Sequence, residues 1–95
     1  MADFNKLYDT YTTSQPASKE IDFNSILAPY IQQCNILITE NEIILGNDSN
    51  PLNRVPKKNI FAIVVEEHEI YIVLQDSIYI VDTKTGATSL NIRNL

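Results

Sequence analysis

Residues 59–92 read NIFAIVVEEHEIYIVLQDSIYIVDTKTGATSLNI. Apolar runs alternate with short polar breaks at Glu66–His68, at Asp76 and Ser77, and at Asp82–Gly86. Ile, Val, Tyr and Thr dominate the runs, and these β-branched and aromatic types fit a pleated surface. Connections this short leave room only for antiparallel neighbours. The stretch therefore predicts an antiparallel meander, and the rest of the fold is read outward from it.

Strand faces follow from period two. Ile70, Ile72 and Leu74 point one way, with Tyr71 and Val73 the other; in the next run Ile78 and Ile80 oppose Tyr79 and Val81. A solvated face alternates with polar residues, and these strands do not, so both faces are expected to be covered. One helix can cover only one face. The second cover is expected from a curled-over part of the same sheet, as in a small barrel, or from another chain. The last run differs: Leu90 and Ile92 alternate with Ser89 and Asn91, the pattern of a half-exposed edge strand.

Two resemblances arise along this stretch. Residues 77–92, with Ile80, Val81, Asp82, Lys84, Thr85 and Gly86, resemble the repeat of quinoprotein-type β-propellers, over under a fifth of the chain. Each residue also has a local purpose: Asp82 can accept N–H groups across the turn, and Gly86 supplies positive φ. A propeller needs at least about four blades of ~40 residues, and the motif has no second copy, so the stretch is read as a hairpin with no cofactor. The order "ILITENEIILGN" then "VPKKNIFAIVVEEHEIYIVL" resembles the layout of bacterial pleckstrin-homology-like domains, which are bent antiparallel sheets closed by a helix. That resemblance implies layout alone, since no helix is expected after the last strand, and it carries no site over.

Upstream, "NILITENEIILGN" (residues 35–47) reads as two strands joined at Glu40 and Asn41, and "NDSNPLNRVPKK" (residues 47–58) as a loop. Its Asn47 begins an Asn-x-Ser pattern, and Asp48 and Asn50 do not complete a calcium loop. Phe23, Ile26, Leu27, Tyr30, Ile31 and Cys34 form one helical stripe capped by Asp22 or Asn24. Pro29 requires either a helix starting near Asn24 or two short pieces with a kink. Near the start, Phe4, Leu7, Tyr8 and Tyr11 line one helical face behind an Asp3 cap, followed by a polar linker. The expected division is a docking segment and linker over residues 1–20, and one α+β domain over residues 21–95. That domain is mainly antiparallel: a five- to six-stranded bent sheet or small barrel, with one N-terminal amphipathic helix packed on it.

The totals narrow the function classes. Ninety-five residues make one small domain with a thin core. Net charge of −5 opposes binding to phosphate backbones, so nucleic acid is disfavoured as a partner. No apolar run approaches the ~20 residues of a membrane span. A single cysteine and no signal-peptide pattern give the cytoplasm as the expected compartment.

Candidates for chemistry are few. Glu66, Glu67, His68 and Glu69 offer metal-ligand types, but at a hairpin tip where solvated charge is the ordinary reading. Cys34 and His68 are the only Cys/His pair, and packing on the helix stripe already accounts for Cys34. Arg54, Lys57 and Lys58 form the one basic cluster, able to meet a phosphate or lipid headgroup but ordinarily an edge-protecting charge. No enzyme, metal or cofactor is expected. The expected function is a protein–protein interaction module of adaptor, inhibitor or immunity type, self-associating as a homodimer or larger homo-oligomer. Its contact residues are expected to be Phe4, Leu7, Tyr8, Tyr11, Tyr71, Tyr79, Leu90 and Ile92, because aromatic residues bury large area with a polar tip retained. The alternative is a lipid- or phospho-ligand module using Arg54, Lys57 and Lys58.

Overall fold

The structure, a computed structural model, describes residues 3–13, 20–45 and 53–94. Most of the polar linker, and Asn47, Asp48 and Asn50, lie outside the described residues. The meander forms four strands, β4 (Ala62–Val65), β5 (Glu69–Val73), β6 (Ser77–Asp82) and β7 (Thr88–Ile92), antiparallel and adjacent in chain order. Its register sets Ile70 opposite Val81 and Ile72 opposite Tyr79 on one face, with Tyr71 opposite Ile80 and Val73 opposite Ile78 on the other. At the last turn Asp82 Oδ1 accepts the N–H groups of Lys84 (2.8 Å) and Thr85 (3.0 Å). Gly86 follows at φ +76, the left-handed region that favours glycine.

A second antiparallel sheet holds β1 (Leu37–Ile38), β2 (Glu42–Leu45) and β3 (Asn53–Pro56), in the order β1-β2-β3. Among the described residues the expected single sheet of five or six strands is therefore replaced by two sheets of three and four, which do not close into a barrel. Strand β3 lies where a loop is expected, because Asn53, Arg54, Val55 and Pro56 show little apolar alternation. As an edge strand it tolerates Pro56, whose missing N–H would be unmade on the free side. The chain then tightens into a 3-10 turn at Lys57–Asn59, which separates β3 from β4. That break prevents the two sheets from continuing into one.

Among the described residues both stretches with helical spacing form short helices, where one N-terminal amphipathic helix packed on the sheet beside a separate docking segment is expected. Helix α1 (Phe4–Tyr11) is capped by Asp3, and α2 (Phe23–Leu27) by Asp22, whose side chain accepts from Ser25 N–H and Oγ. Pro29 sits in a 3-10 turn, Ala28–Tyr30, directly after α2, so the stripe is two pieces. Asn35 at φ 56 ends the helical run, and Ile36 N–H reaches back to Ile31 carbonyl at 3.0 Å, a Schellman-type stop.

Each helix covers a different face of the four-stranded sheet. Phe23, Leu27 and Cys34 pack with Ile43, Leu45 and Val55 of the small sheet against Ile70, Ile72 and Val81. On the opposite face Phe4, Leu7, Tyr8 and Tyr11 pack against Tyr71, Val73, Ile78 and Ile80. Both faces are covered, as the apolar patterning of β5 and β6 requires. The second cover is the chain's own α1, where the sequence reading looks to a curled sheet or another chain.

Candidate functional site

The eight residues expected to make contacts divide into two groups. Phe4, Leu7, Tyr8, Tyr11 and Tyr71 belong to the cluster under α1; Tyr8 and Tyr71 are buried in it, and Phe4 meets Tyr71 edge-to-face at 5.8 Å. The Tyr8 hydroxyl donates to the Asn91 carbonyl (3.1 Å) and side-chain oxygen (2.9 Å), tying α1 to β7. Arg93 completes the clasp. Its guanidinium lies 4.9 Å from the Tyr8 ring centre, donates to Thr12 Oγ1 and the Gln75 carbonyl, and approaches Asp9 at 3.9 Å. Sequence patterning does not single out Arg93, because one arginine near a strand end carries no periodic signal.

Tyr79, Leu90 and Ile92 form the second group, side by side on the opposite face. Tyr79 pairs with Leu90 and Ser77 with Ile92, so Tyr79 and the two β7 side chains line adjoining rows. Tyr79 is half-buried against the main core, while Leu90 is 47% and Ile92 66% exposed. Exposed apolar side chains also occur at Leu37 and Val65. Leu37 escapes sequence reading because Ile36 and Ile38 flank it, leaving no polar neighbour to mark the outer face.

The backbone of β7 has a defined polarity. Asp82 N–H donates to the Ala87 carbonyl (2.9 Å) and Arg93 N–H to the Asp76 carbonyl (2.8 Å). Hydrogen-bonded pairs alternate along an antiparallel ladder, so Ala87, Ser89, Asn91 and Arg93 face β6. Thr88, Leu90 and Ile92 therefore direct their N–H and C=O groups to the outer edge. Among the described residues no strand pairs with that edge. Its five residues contain no proline and no charge. Other edges are guarded. Strand β1 has two residues, β3 carries Arg54 and Pro56, and β4 is followed by Glu66 and Glu67. At the start of β4, Phe61 N–H donates to the Val73 carbonyl although Val73 already faces Ala62, which marks a bulge.

The remaining candidates for chemistry are dispersed. Cys34 is buried; its thiol sits 3.7 Å from the Asp82 and Thr83 carbonyls, and burial, aided by the nearby Asp82 charge, pushes its pKa up, away from thiolate. His68 approaches the same turn only through its backbone, whose carbonyl accepts from Thr83 N–H at 3.0 Å; its side chain is exposed beside Glu67. No group of three or more His, Cys, Asp or Glu gathers in metal-binding geometry among the described residues. Within the basic cluster Arg54 pairs with Glu42 at 3.1 Å and Lys57 lies over the Phe23 ring at 5.4 Å, while Lys58 is exposed. No helix among the described residues is long and apolar enough to cross a membrane. Comparison with family models, curated proteins and solved structures gives no match to this chain.

Proposed function

We propose that the protein is a non-enzymatic protein–protein interaction module, of adaptor, inhibitor or immunity type, that works through the outer edge of β7. The observation that carries this reading is the coincidence, on one regular uncharged strand, of outward backbone groups and the exposed side chains of Leu90 and Ile92. An extended segment laid along this edge would satisfy the N–H and C=O groups of Thr88, Leu90 and Ile92 and cover both apolar side chains, the mode of β-strand addition. Tyr79 flanks the same patch and extends it toward the core. The other aromatic candidates serve the internal cluster under α1, so they position β7 and do not form its contact surface.

The lipid- or phospho-ligand reading has less to stand on. Arg54 and Lys57 already have partners within the chain, which leaves a weak electrostatic focus for an anionic headgroup on a molecule of net charge −5. The two readings separate in a retention experiment with immobilised full-length protein and a Leu90→Lys/Ile92→Lys variant of matching circular dichroism. Proteins held by the wild type and released by the variant support the edge reading. Equal retention by both overturns it, as does capture on anionic vesicles that collapses with added salt and is insensitive to the two substitutions.

A further inference from the structure

We infer that the strand received by β7 is β7 of a second copy, paired antiparallel about a two-fold axis at Leu90. This rests on the edge reading above and adds the identity and register of the partner. A two-fold pairing brings the same patch of both copies together, so the patch must complement itself. Residues 88–92, Thr-Ser-Leu-Asn-Ile, do so. With Leu90 opposite Leu90, Thr88 falls opposite Ile92, two β-branched residues on the face that carries Tyr79. Ser89 falls opposite Asn91, two small polar residues on the face that carries α1. No charge meets a like charge within the paired strands, even though each whole molecule is acidic.

The hydrogen-bond polarity selects the same register. Only pairing centred on Leu90 sets all three outward residues of each strand against outward residues of the other. Each such pair exchanges two N–H···O=C bonds, which gives about six across the junction. Shifting the strands by two residues leaves two such pairs and one outward residue of each copy without a partner. The product is a continuous eight-stranded sheet, with the exposed Leu90 side chains adjacent across the axis and each Ile92 beside Thr88 of the other copy. Five-residue strands with two apolar side chains apiece fall short of the ~800 Å² per partner of a stable interface. The association is therefore concentration-dependent. Because each copy carries −5, added salt strengthens it by screening the mutual repulsion.

The test measures mass in solution for the full-length chain by sedimentation velocity, at protein concentrations up to about 1 mM, the weak end of specific binding. A monomer–dimer equilibrium is expected, shifted toward dimer by salt, with Leu90→Lys raising the dissociation constant at least about tenfold through like charges placed opposite each other. Register is read by oxidative cross-linking. Leu90→Cys brings two thiols together across Cα atoms about 5.5 Å apart, within the disulfide range. Ile92→Cys leaves its two copies four residues out of step, roughly 13 Å apart, and does not cross-link. The unsubstituted chain, with only buried Cys34, is the control. A strict monomer over the whole range overturns the proposal. So does a dimer indifferent to Leu90→Lys, or one that cross-links through Ile92→Cys in preference to Leu90→Cys. A wild-type monomer that still loses a retained protein on the double lysine substitution overturns self-pairing alone and leaves the edge reading intact.

Discussion

The Tyr71 ring lies inside the cluster under α1 while its hydroxyl donates to a Glu69 carboxylate oxygen on the same strand. Burial first, then that hydrogen bond and the charges of Glu69 and Glu66, push its pKa up to about 12. An unfolded tyrosine ionises near about 10. The stability associated with keeping this phenol neutral is complete below about pH 10 and is lost as pH rises through the folded value. Tyr71→Phe is expected to remove the last-titrating component of phenolate absorbance and to flatten the fall in stability above about pH 10, checked by denaturant midpoints across alkaline pH. Gly86 is constrained in a different way. A Cβ there would lie 3.1 Å from the Cys34 Cα, and φ is +76. Gly86→Ala therefore combines left-handed strain with backbone crowding, and a loss of about 1–3 kcal/mol is expected in urea unfolding. The Asp82 carboxylate that closes the same turn is held below the usual aspartate range by the N–H groups of Thr85 and Lys84. Its contribution is present above about pH 4 and fades as pH falls through the lowered value.

At the scale of the element, α1 is the informative case. Eight residues are too few to hold a helix in water, so α1 exists because its aromatic stripe is docked and the Tyr8 hydroxyl and Arg93 fasten it. Tyr8→Phe keeps the ring and deletes the two hydrogen bonds to Asn91, at a cost of about 1 kcal/mol. Amide exchange within α1 is expected to quicken by about fivefold, with exchange in β5 less affected, as read by mass spectrometry. The stripe itself was legible in the sequence, since Phe4, Leu7, Tyr8 and Tyr11 keep helical spacing. Its destination was not, because periodicity reports that a face is greasy and says nothing of which surface receives it. The edge character of β7 was legible from the alternation of Leu90 and Ile92 with Ser89 and Asn91. Strand β3 was not, because Arg54 and Pro56 mask the pattern and only pairing with β2 makes it a strand. The split into two sheets followed from the same omission.

For the whole molecule, strand β5 joins the two cores: Ile70 and Ile72 serve one layer, Tyr71 and Val73 the other. Loss of either layer weakens the strand that the other layer rests on, so unfolding is expected to be one cooperative transition, seen as coincident curves for tyrosine fluorescence and far-ultraviolet dichroism. Leu27→Ala, in the layer opposite α1, is expected to cost about 2–5 kcal/mol, and to add to the cost of Tyr8→Phe within about 0.5 kcal/mol because the two sites share no contact partner. The placement of α1 also sets a schedule. It is translated ahead of its receptor on β5 and β6, so at ordinary elongation speeds the nascent segment, too short to hold a helix alone, waits seconds for a surface to bind. During that interval its aromatic stripe is available to chaperones, and a chain stalled before β6 would keep it so.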